Sequence, residues 1–192
     1  MANPVVPVSD GIEREGTFFS MVLNDGHFYA VEPNQGEILR ISPGGLSERC
    51  IQISATEGHV VPAAMVFHHS SFYVGTLSEY PIVPGSASVC RILGKAGIIR
   101  KMTGFTTVTG LSFDKKSRLY VPEMSAVEEP GFPQPFTGKI VRLNRAGEIE
   151  DFLTGLMVTT GLTIGPDGAL YVSNWGAVPG SLGEILRITV PD

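Results

Sequence analysis

The sequence lacks any apolar run long enough to cross a membrane, and it lacks any cluster of lysine and arginine. A membrane-spanning helix needs about 20 consecutive apolar residues. Binding to nucleic acid or to an anionic membrane needs concentrated positive charge, whereas this chain has 14 Lys and Arg against 19 Asp and Glu, for a net charge of -5. We therefore expect neither a membrane nor a nucleic-acid partner, and predict a small molecule or another protein instead.

Cysteine is also scarce. Cys50 and Cys90 lie in apolar, strand-like stretches without the spacing of a zinc site or a CxxC redox motif. They are predicted to be buried thiols that behave as small apolar side chains. The opening stretch MANPVVPVSDG has neither the basic nor the apolar segment of a secretory leader, so it predicts no targeting signal.

Helical periodicity is missing too, because no stretch repeats apolar residues every 3.6 positions over a useful length. The chain is nevertheless 43% hydrophobic, and its 23 glycines and 14 prolines separate short apolar stretches. Glycine and proline placed in this way mark turns between strands. The composition predicts one all-β domain over residues 1–192.

Four copies of one unit follow each other along the chain at intervals of roughly 45 to 50 residues, the length of a propeller blade. Each copy has an apolar strand, a turn, an aromatic strand and a third strand, and the first three copies add an outer fourth strand. The aromatic strands are GHFYAVEPN, SSFYVGTLS, SRLYVPEMS and GALYVSNWG. The sequence predicts a β-propeller of about four antiparallel four-stranded blades, at 17–55, 61–105, 107–156 and 158–192.

The ends of the repeat array leave two architectures open, a four-bladed ring and a fragment of a six-bladed ring. The extended segment PVVPVS, residues 4–9, is the candidate to complete the fourth blade as an outer strand, where prolines cost little because no partner strand needs their missing donors. An arc that stays open would expose apolar faces on its terminal blades. We then expect the chain to form a homo-oligomer.

Four phrases carry a resemblance to a known family: FSMVLNDGHFYAVEPNQGEI, VPAAMVFHHSSFYVGTLSEYPIVPGS, TGFTTVTGLSFDKKSRLYV and TGLTIGPDGALYVSNWG. From about residue 16 onward the chain resembles the ScyD/ScyE family of six-bladed propeller proteins. At a looser level the blades resemble those of NHL-repeat proteins, gluconolactonase-type (SMP-30-like) enzymes and streptogramin lyases. The resemblance implies a propeller that is exported to the periplasm or outside the cell.

Oxygen-bearing side chains recur at one position of the repeat, near the end of each aromatic strand. These residues are Glu32, Thr76, Glu123 and Asn174. Around a common axis they would converge near the channel mouth, where a hard cation such as Ca²⁺ or Mg²⁺ finds ligands. The alternative is that they bind loop backbone at the strand ends, as polar residues at such positions often do.

Gluconolactonase-type propellers hold a divalent metal with a glutamate and with asparagines that head the innermost strands. The matching positions here are Phe19, Ala63, Thr109 and Thr160. None is asparagine, so the resemblance does not transfer that metal site. Streptogramin lyases use a histidine with a magnesium ion, and His59, just before the second inner strand, is the histidine placed to act as a base.

Two long connections, residues 77–88 and 124–138, leave their blades at the same end and are predicted to form a recognition rim. Tyr80 and, from the last blade, Trp175 offer aromatic faces to a small molecule or a protein loop. Alternatively, these rings cover the blade tops.

Two functions remain. The first is a binding or scaffold propeller without chemistry of its own. The alternative is a metal-assisted lactonase, another hydrolase or a lyase, whose metal would be held by Glu32, Glu123 and Asn174.

Overall fold

The computed structural model describes residues 17–77, 79–94, 97–125, 133–144, 147–177, 179–180 and 182–191, together with the backbone of 6–7. Four antiparallel sheets follow one another along the chain as the blades of a four-blade β-propeller. This confirms the predicted fold class. Among the described residues no helix is long and apolar enough to cross a membrane.

The strands run outward from the axis in chain order within each blade. Blade 1 has β2 (Ser20–Asn24), β3 (His27–Glu32), β4 (Glu37–Ile41) and β5 (Ser47–Gln52). Blade 2 has β6 (Val61–His68), β7 (Ser71–Leu77), β8 (Ala87–Ile92) and β9 (Ile98–Phe105). Blade 3 has β10 (Ser112–Phe113), β11 (Leu119–Glu123), β12 (Gly138–Leu143) and β13 (Ile149–Leu156). Blade 4 has three strands, β14 (Gly161–Ile164), β15 (Leu170–Asn174) and β16 (Glu184–Ile188).

Tight turns join the two inner strands of each blade. In blade 1, Asp25 and Gly26 both have positive φ, 49° and 70°, as a two-residue turn matched to the twist of a hairpin requires. In blade 2, His69 and Ser70 take positive φ as well, 44° and 61°. The His69-Ser70 pair therefore makes the same kind of turn that Asp25-Gly26 makes in blade 1.

The described part of the N-terminal segment, residues 6–7, does not lie where the sequence suggested. Its two described residues form β1 (Val6–Pro7), which pairs with β5 on the outside of blade 1, Val6 opposite Arg49 and Pro7 opposite Glu48. Blade 1 therefore has five strands, and blade 4 stays at three in the part of the chain that is described. An outer edge, as predicted, is a position that suits Pro7, which has no N–H to donate. The prediction of blade 4 was wrong for these two residues, because they lie on blade 1. The remainder of 4–9 lies outside the described residues.

Equivalent positions in the four blades are defined by one cross-strand pair. The tyrosine of each second strand lies opposite the arginine of the third strand, in the pairs Tyr29–Arg40, Tyr73–Arg91, Tyr120–Arg142 and Tyr171–Arg187. This common register allows a residue in one blade to be compared with its counterpart in the next.

Three apolar clusters fill the spaces between consecutive blades. The first joins Ile38 and Ile51 of blade 1 to Phe72 of blade 2. The second joins blades 2 and 3, and the third joins blades 3 and 4. Cys90 is buried in the first cluster, and Cys50 packs against it. Both thiols are free, as the sequence predicted. Burial between blades supplies most of the stability of such a fold.

Candidate functional site

The four strand-end residues are used by their own blades. Both carboxylate oxygens of Glu32 accept backbone N–H groups of the β3–β4 turn, Asn34 at 3.0 Å and Gln35 at 2.6 Å. The Thr76 hydroxyl accepts the N–H of Ser88 at 3.0 Å and donates to the carbonyl of the same residue at 3.3 Å. In blades 1 and 2, the strand-end side chain therefore joins the second strand to the third.

Blades 3 and 4 use the same position to hold the segment that enters the blade. Oε1 of Glu123 accepts the N–H of Thr106 at 2.9 Å. Oδ1 of Asn174 accepts the N–H of Met157 at 2.8 Å, while its Nδ2 donates to Glu184 at 2.8 Å. These bonds match the alternative in which the residues cap loop backbone. A shared cation at Glu32, Thr76, Glu123 and Asn174 stays a prediction, and the described residues contain no group of three or more His, Cys, Asp or Glu arranged to hold one.

Glu123 is the most unusual of the four electrostatically. Burial raises the pKa of this carboxyl, and the Thr106 N–H and the nearby Lys139 ammonium oppose that rise only in part. Lys139 Nζ lies 3.7 Å from Oε2, near enough for an ion pair but too far for a hydrogen bond. Oε2 is therefore buried without a hydrogen-bond partner.

A cavity of about 230 Å³, here called the axial cavity, lies between the inner strands of all four blades. It brings together the four positions that match the metal ligands of gluconolactonase-type propellers, which are Phe19, Ala63, Thr109 and Thr160. The Thr109 hydroxyl donates to the carbonyl of Thr159 at 3.0 Å, and the Thr160 hydroxyl donates to Ser173 at 3.0 Å. The wall is thus apolar, glycine-lined or already hydrogen-bonded, and it offers no carboxylate.

A second cavity of about 410 Å³, here called the rim cavity, opens at the end of blade 2. Its size is typical of a small-molecule site. It is lined by residues of five segments, namely the short helix α1 (Ser54–Glu57) with the loop after it, the end of β7, the loop 79–86, the strand β8 and the strand β9. Three predicted residues, His59, Thr76 and Tyr80, lie in its wall.

Two pairs of opposite charges lie in the rim cavity. Lys101 Nζ on β9 donates to Glu57 Oε2 on α1 at 2.7 Å, linking the outer strand of blade 2 to the connection from blade 1. His59 Nε2 lies 3.8 Å from Glu79 Oε1, and both side chains are more than half exposed. An exposed pair at this distance is weakly held, so both groups are available to a ligand.

The loop that carries Tyr80 is anchored at its centre. Ile82 is buried, while Tyr80 and Val83 on either side of it are exposed beside the cavity. The Tyr80–Pro81 peptide bond is cis. Tyr80 lies in the cavity wall with an exposed ring, so this ring does not cover the blade top, and its role in recognition stays a prediction.

Trp175 lies elsewhere, at the end of β15 in blade 4. Its ring makes an edge contact with Phe136, with centroids 5.7 Å apart, and its backbone N–H donates to the carbonyl of Met157 at 2.7 Å. The structure thus does not bring Trp175 to the residues of the rim cavity. Residues 126–132 of the 124–138 loop, Phe132 among them, lie outside the described residues.

Sequence reasoning missed Glu57, Glu79 and Lys101. Glu57 belongs to a four-residue helix that has no apolar periodicity of its own. Lys101 is one polar residue among several on an outer strand, and its approach to α1 depends on how blades 1 and 2 pack. The sequence pointed to this region only through His59, Thr76 and Tyr80.

No protein-family model and no curated protein matches the sequence. Solved structures do share the fold. The luciferin-regenerating enzyme aligns with 92% of this chain and 60% of its own length at a TM-score of 0.65 and 12% identity. A streptogramin B lyase aligns with 98% of this chain and 59% of its own length at a TM-score of 0.59 and 10% identity. A protein assigned as a gluconolactonase aligns with 89% of this chain and 63% of its own length at a TM-score of 0.59 and 20% identity.

The chain therefore spans about three fifths of the length of these propellers. At such identities the likeness shows the fold and leaves the chemistry to the residues of the site.

Proposed function

We propose that this protein is an enzyme of the hydrolase or lyase kind that binds a small anionic or lactone-like molecule in the rim cavity. The names of the structural neighbours, a streptogramin B lyase and a gluconolactonase, favour this alternative over a scaffold without chemistry. Membership of the ScyD/ScyE family, export from the cell and a protein partner at the rim stay predictions from the sequence.

The observation that carries the proposal is the presence of a histidine, a lysine and two carboxylates around one cavity of small-molecule size. A ligand carboxylate or carbonyl oxygen competes with Glu57 for the Lys101 ammonium. The exposed ring of Tyr80 packs on the apolar part of the same ligand. Bound in this way, the ligand lies between Lys101 and His59.

His59 is the residue we assign as the base. Glu79 faces Nε2 at 3.8 Å, so it favours a proton on that nitrogen and leaves Nδ1 to accept another. For a lactone, Nδ1 takes a proton from water while the water oxygen bonds to the carbonyl carbon. The ring C–O bond then breaks, and the imidazolium returns the proton to the leaving oxygen.

The strand-end residues do not fit a metal ion in this reaction. Glu32, Thr76 and Asn174 already use their oxygens on backbone amides. The free oxygen of Glu123 faces Lys139, whose positive charge opposes a second cation. The reaction that we propose therefore uses side chains and water, without Ca²⁺ or Mg²⁺ at the strand-end residues.

A panel of lactones and cyclic esters, followed by proton release at constant pH, tests the proposal. We expect turnover by the parent chain, a loss of 100-fold or more for His59→Gln, and a weaker apparent affinity with Lys101→Met. His69→Asn is the matched control, because His69 lies in the hairpin turn of the same blade and asparagine tolerates its positive φ. Ligand binding without turnover would replace the proposal with the scaffold reading.

A further inference from the structure

Blade 1 exposes apolar residues whose counterparts in the other blades are buried or half-buried. Met21 and Leu23 on its inner strand are 54% and 65% exposed. By the common register, the counterparts of Met21 are Met65, Leu111 and Leu162. Met65 and Leu111 are buried, and all three belong to or pack against the cluster shared with the preceding blade.

The same holds for the second strand. Phe28 is exposed, whereas its counterparts Phe72, Leu119 and Leu170 are buried in the clusters that face the preceding blade. Ala30 and Leu39 lie on the same side of blade 1 and are already buried. The uncovered surface is thus the inner part of this side, which we call the leading face and define by Met21, Leu23 and Phe28.

Blade 4 exposes an apolar residue on its other side, the side that faces the following blade in blades 1 to 3. Ile185 on its third strand is 67% exposed. Its counterparts Ile38, Val89 and Ile140 are fully buried in the clusters that face the following blade. We call this surface the trailing face and define it by Ile185 with Thr163 and Tyr171, whose counterparts Val22 and Tyr29 in blade 1 pack towards blade 2.

Three clusters join blades 1 to 2, 2 to 3 and 3 to 4. Among the described residues no such cluster joins blade 4 back to blade 1. The leading and trailing faces therefore correspond to the two halves of an interface that the chain makes three times within itself, and the described residues of these two faces share no apolar cluster.

We propose that a second copy of this chain covers these faces, with the trailing face of one copy packed on the leading face of the next. The occupant follows from continuity with the internal interfaces, because blade 4 meeting blade 1 repeats the contact that blade 3 makes with blade 4. Such a contact is head-to-tail, so each copy contributes a different face, and two copies close into a ring when both contacts form together.

Light scattering coupled to size-exclusion chromatography over a range of concentrations measures the association. The parent chain is expected at a multiple of its 20.5 kDa mass, shifting to larger species as concentration rises. Leu23→Asp removes the leading face and Ile185→Asp removes the trailing face, and each alone is expected to be monomeric. Leu93→Asp is the control, since Leu93 is exposed but lies on neither face.

Mixing the two variants supplies the sharpest test. Leu23→Asp retains a sound trailing face and Ile185→Asp a sound leading face, so their mixture is expected to form one heterodimer although neither variant forms a homodimer. Association abolished by only one of the two substitutions would mean contact between like faces and would overturn the head-to-tail proposal. A parent chain that stays monomeric at every concentration, with a circular dichroism spectrum of folded β structure, would overturn it entirely.

Discussion

The two cavities of this propeller differ in what their walls can do. The axial cavity is lined by glycine, alanine, apolar side chains and hydroxyls that are already hydrogen-bonded. The rim cavity is lined by a histidine, a lysine and two glutamates that are at least partly exposed. The difference teaches that the common axis serves packing, where small residues let four inner strands approach, while reactive groups collect where one blade meets its loops.

The largest expected effect comes from filling the axial wall. A Cβ at Gly110 would lie 2.9 Å from Pro122 Cγ and 3.1 Å from the Leu162 nitrogen. We expect Gly110→Val to lose about 3 kcal/mol of unfolding free energy by overpacking, measured by urea denaturation.

Gly161 provides the matched control for Gly110→Val, because it is the equivalent residue of blade 4 and a Cβ there meets nothing within 4 Å. Gly161→Val should cost less than about 1 kcal/mol. Equal losses from both substitutions would show that the axial wall is not tightly packed.

Two substitutions of Glu123 test whether its side chain caps the Thr106 N–H. Glu123→Leu leaves the Thr106 N–H without its acceptor, and an unpaired buried donor costs about 2 kcal/mol. Glu123→Gln keeps an acceptor oxygen and should remain within about 1 kcal/mol of the parent at neutral pH. Thermal and urea denaturation measure both, and equal losses from Leu and Gln would contradict the capping role.

The pH dependence of stability should report the same carboxyl. Because burial raises the folded-state pKa of Glu123 above its usual 4.5, the folded chain holds this proton more tightly than the unfolded chain. The stability gained is present below pH 4.5 and is lost as pH rises through the raised pKa.

Glu123→Gln removes this dependence. The free energy of unfolding of the variant should therefore rise relative to that of the parent between pH 4.5 and neutrality. Glu37, whose pKa burial also raises, is present in both chains and cancels in the comparison. Exposed Glu148→Gln controls for the loss of one carboxylate. A constant difference between the two chains across this range would contradict the assignment.

The smallest expected effect is that of calcium. The strand-end oxygens are bound to backbone amides. About 5 mM Ca²⁺ or Mg²⁺, which exceeds the Kd of about 1 mM or less of weak extracellular calcium modules, should therefore move the melting temperature by less than about 1 °C. A larger shift that disappears in Glu123→Gln would instead support the strand-end metal site.

Individual residues show how far sequence reasoning reached. The repeat was predicted correctly from the spacing of four tyrosines, Tyr29, Tyr73, Tyr120 and Tyr171. This was possible because each strand must alternate its faces and each turn needs residues that accept its dihedral angles. The equivalence of Phe19, Ala63, Thr109 and Thr160 also followed from the repeat, and the structure places them around one cavity. His59 and Tyr80, both predicted to bind a ligand, line one cavity, and their role in binding stays a prediction.

Other features depended on contacts between distant segments. The approach of Lys101 to Glu57 spans 44 residues, and nothing in either local sequence indicates it. The pairing of Val6 with Arg49 in blade 1 rather than with blade 4 likewise depends on which sheet edge is within reach. Both blades offered an outer edge, and the pattern of residues could not distinguish them.

The sequence by itself determined four repeats of antiparallel strands, because local alternation, turn residues and a regular spacing act over a few residues at a time. Only the tertiary structure decided which polar groups share a cavity and which apolar faces lack a neighbour. Those outcomes depend on how whole blades pack against one another, and packing joins side chains that local patterns leave unrelated.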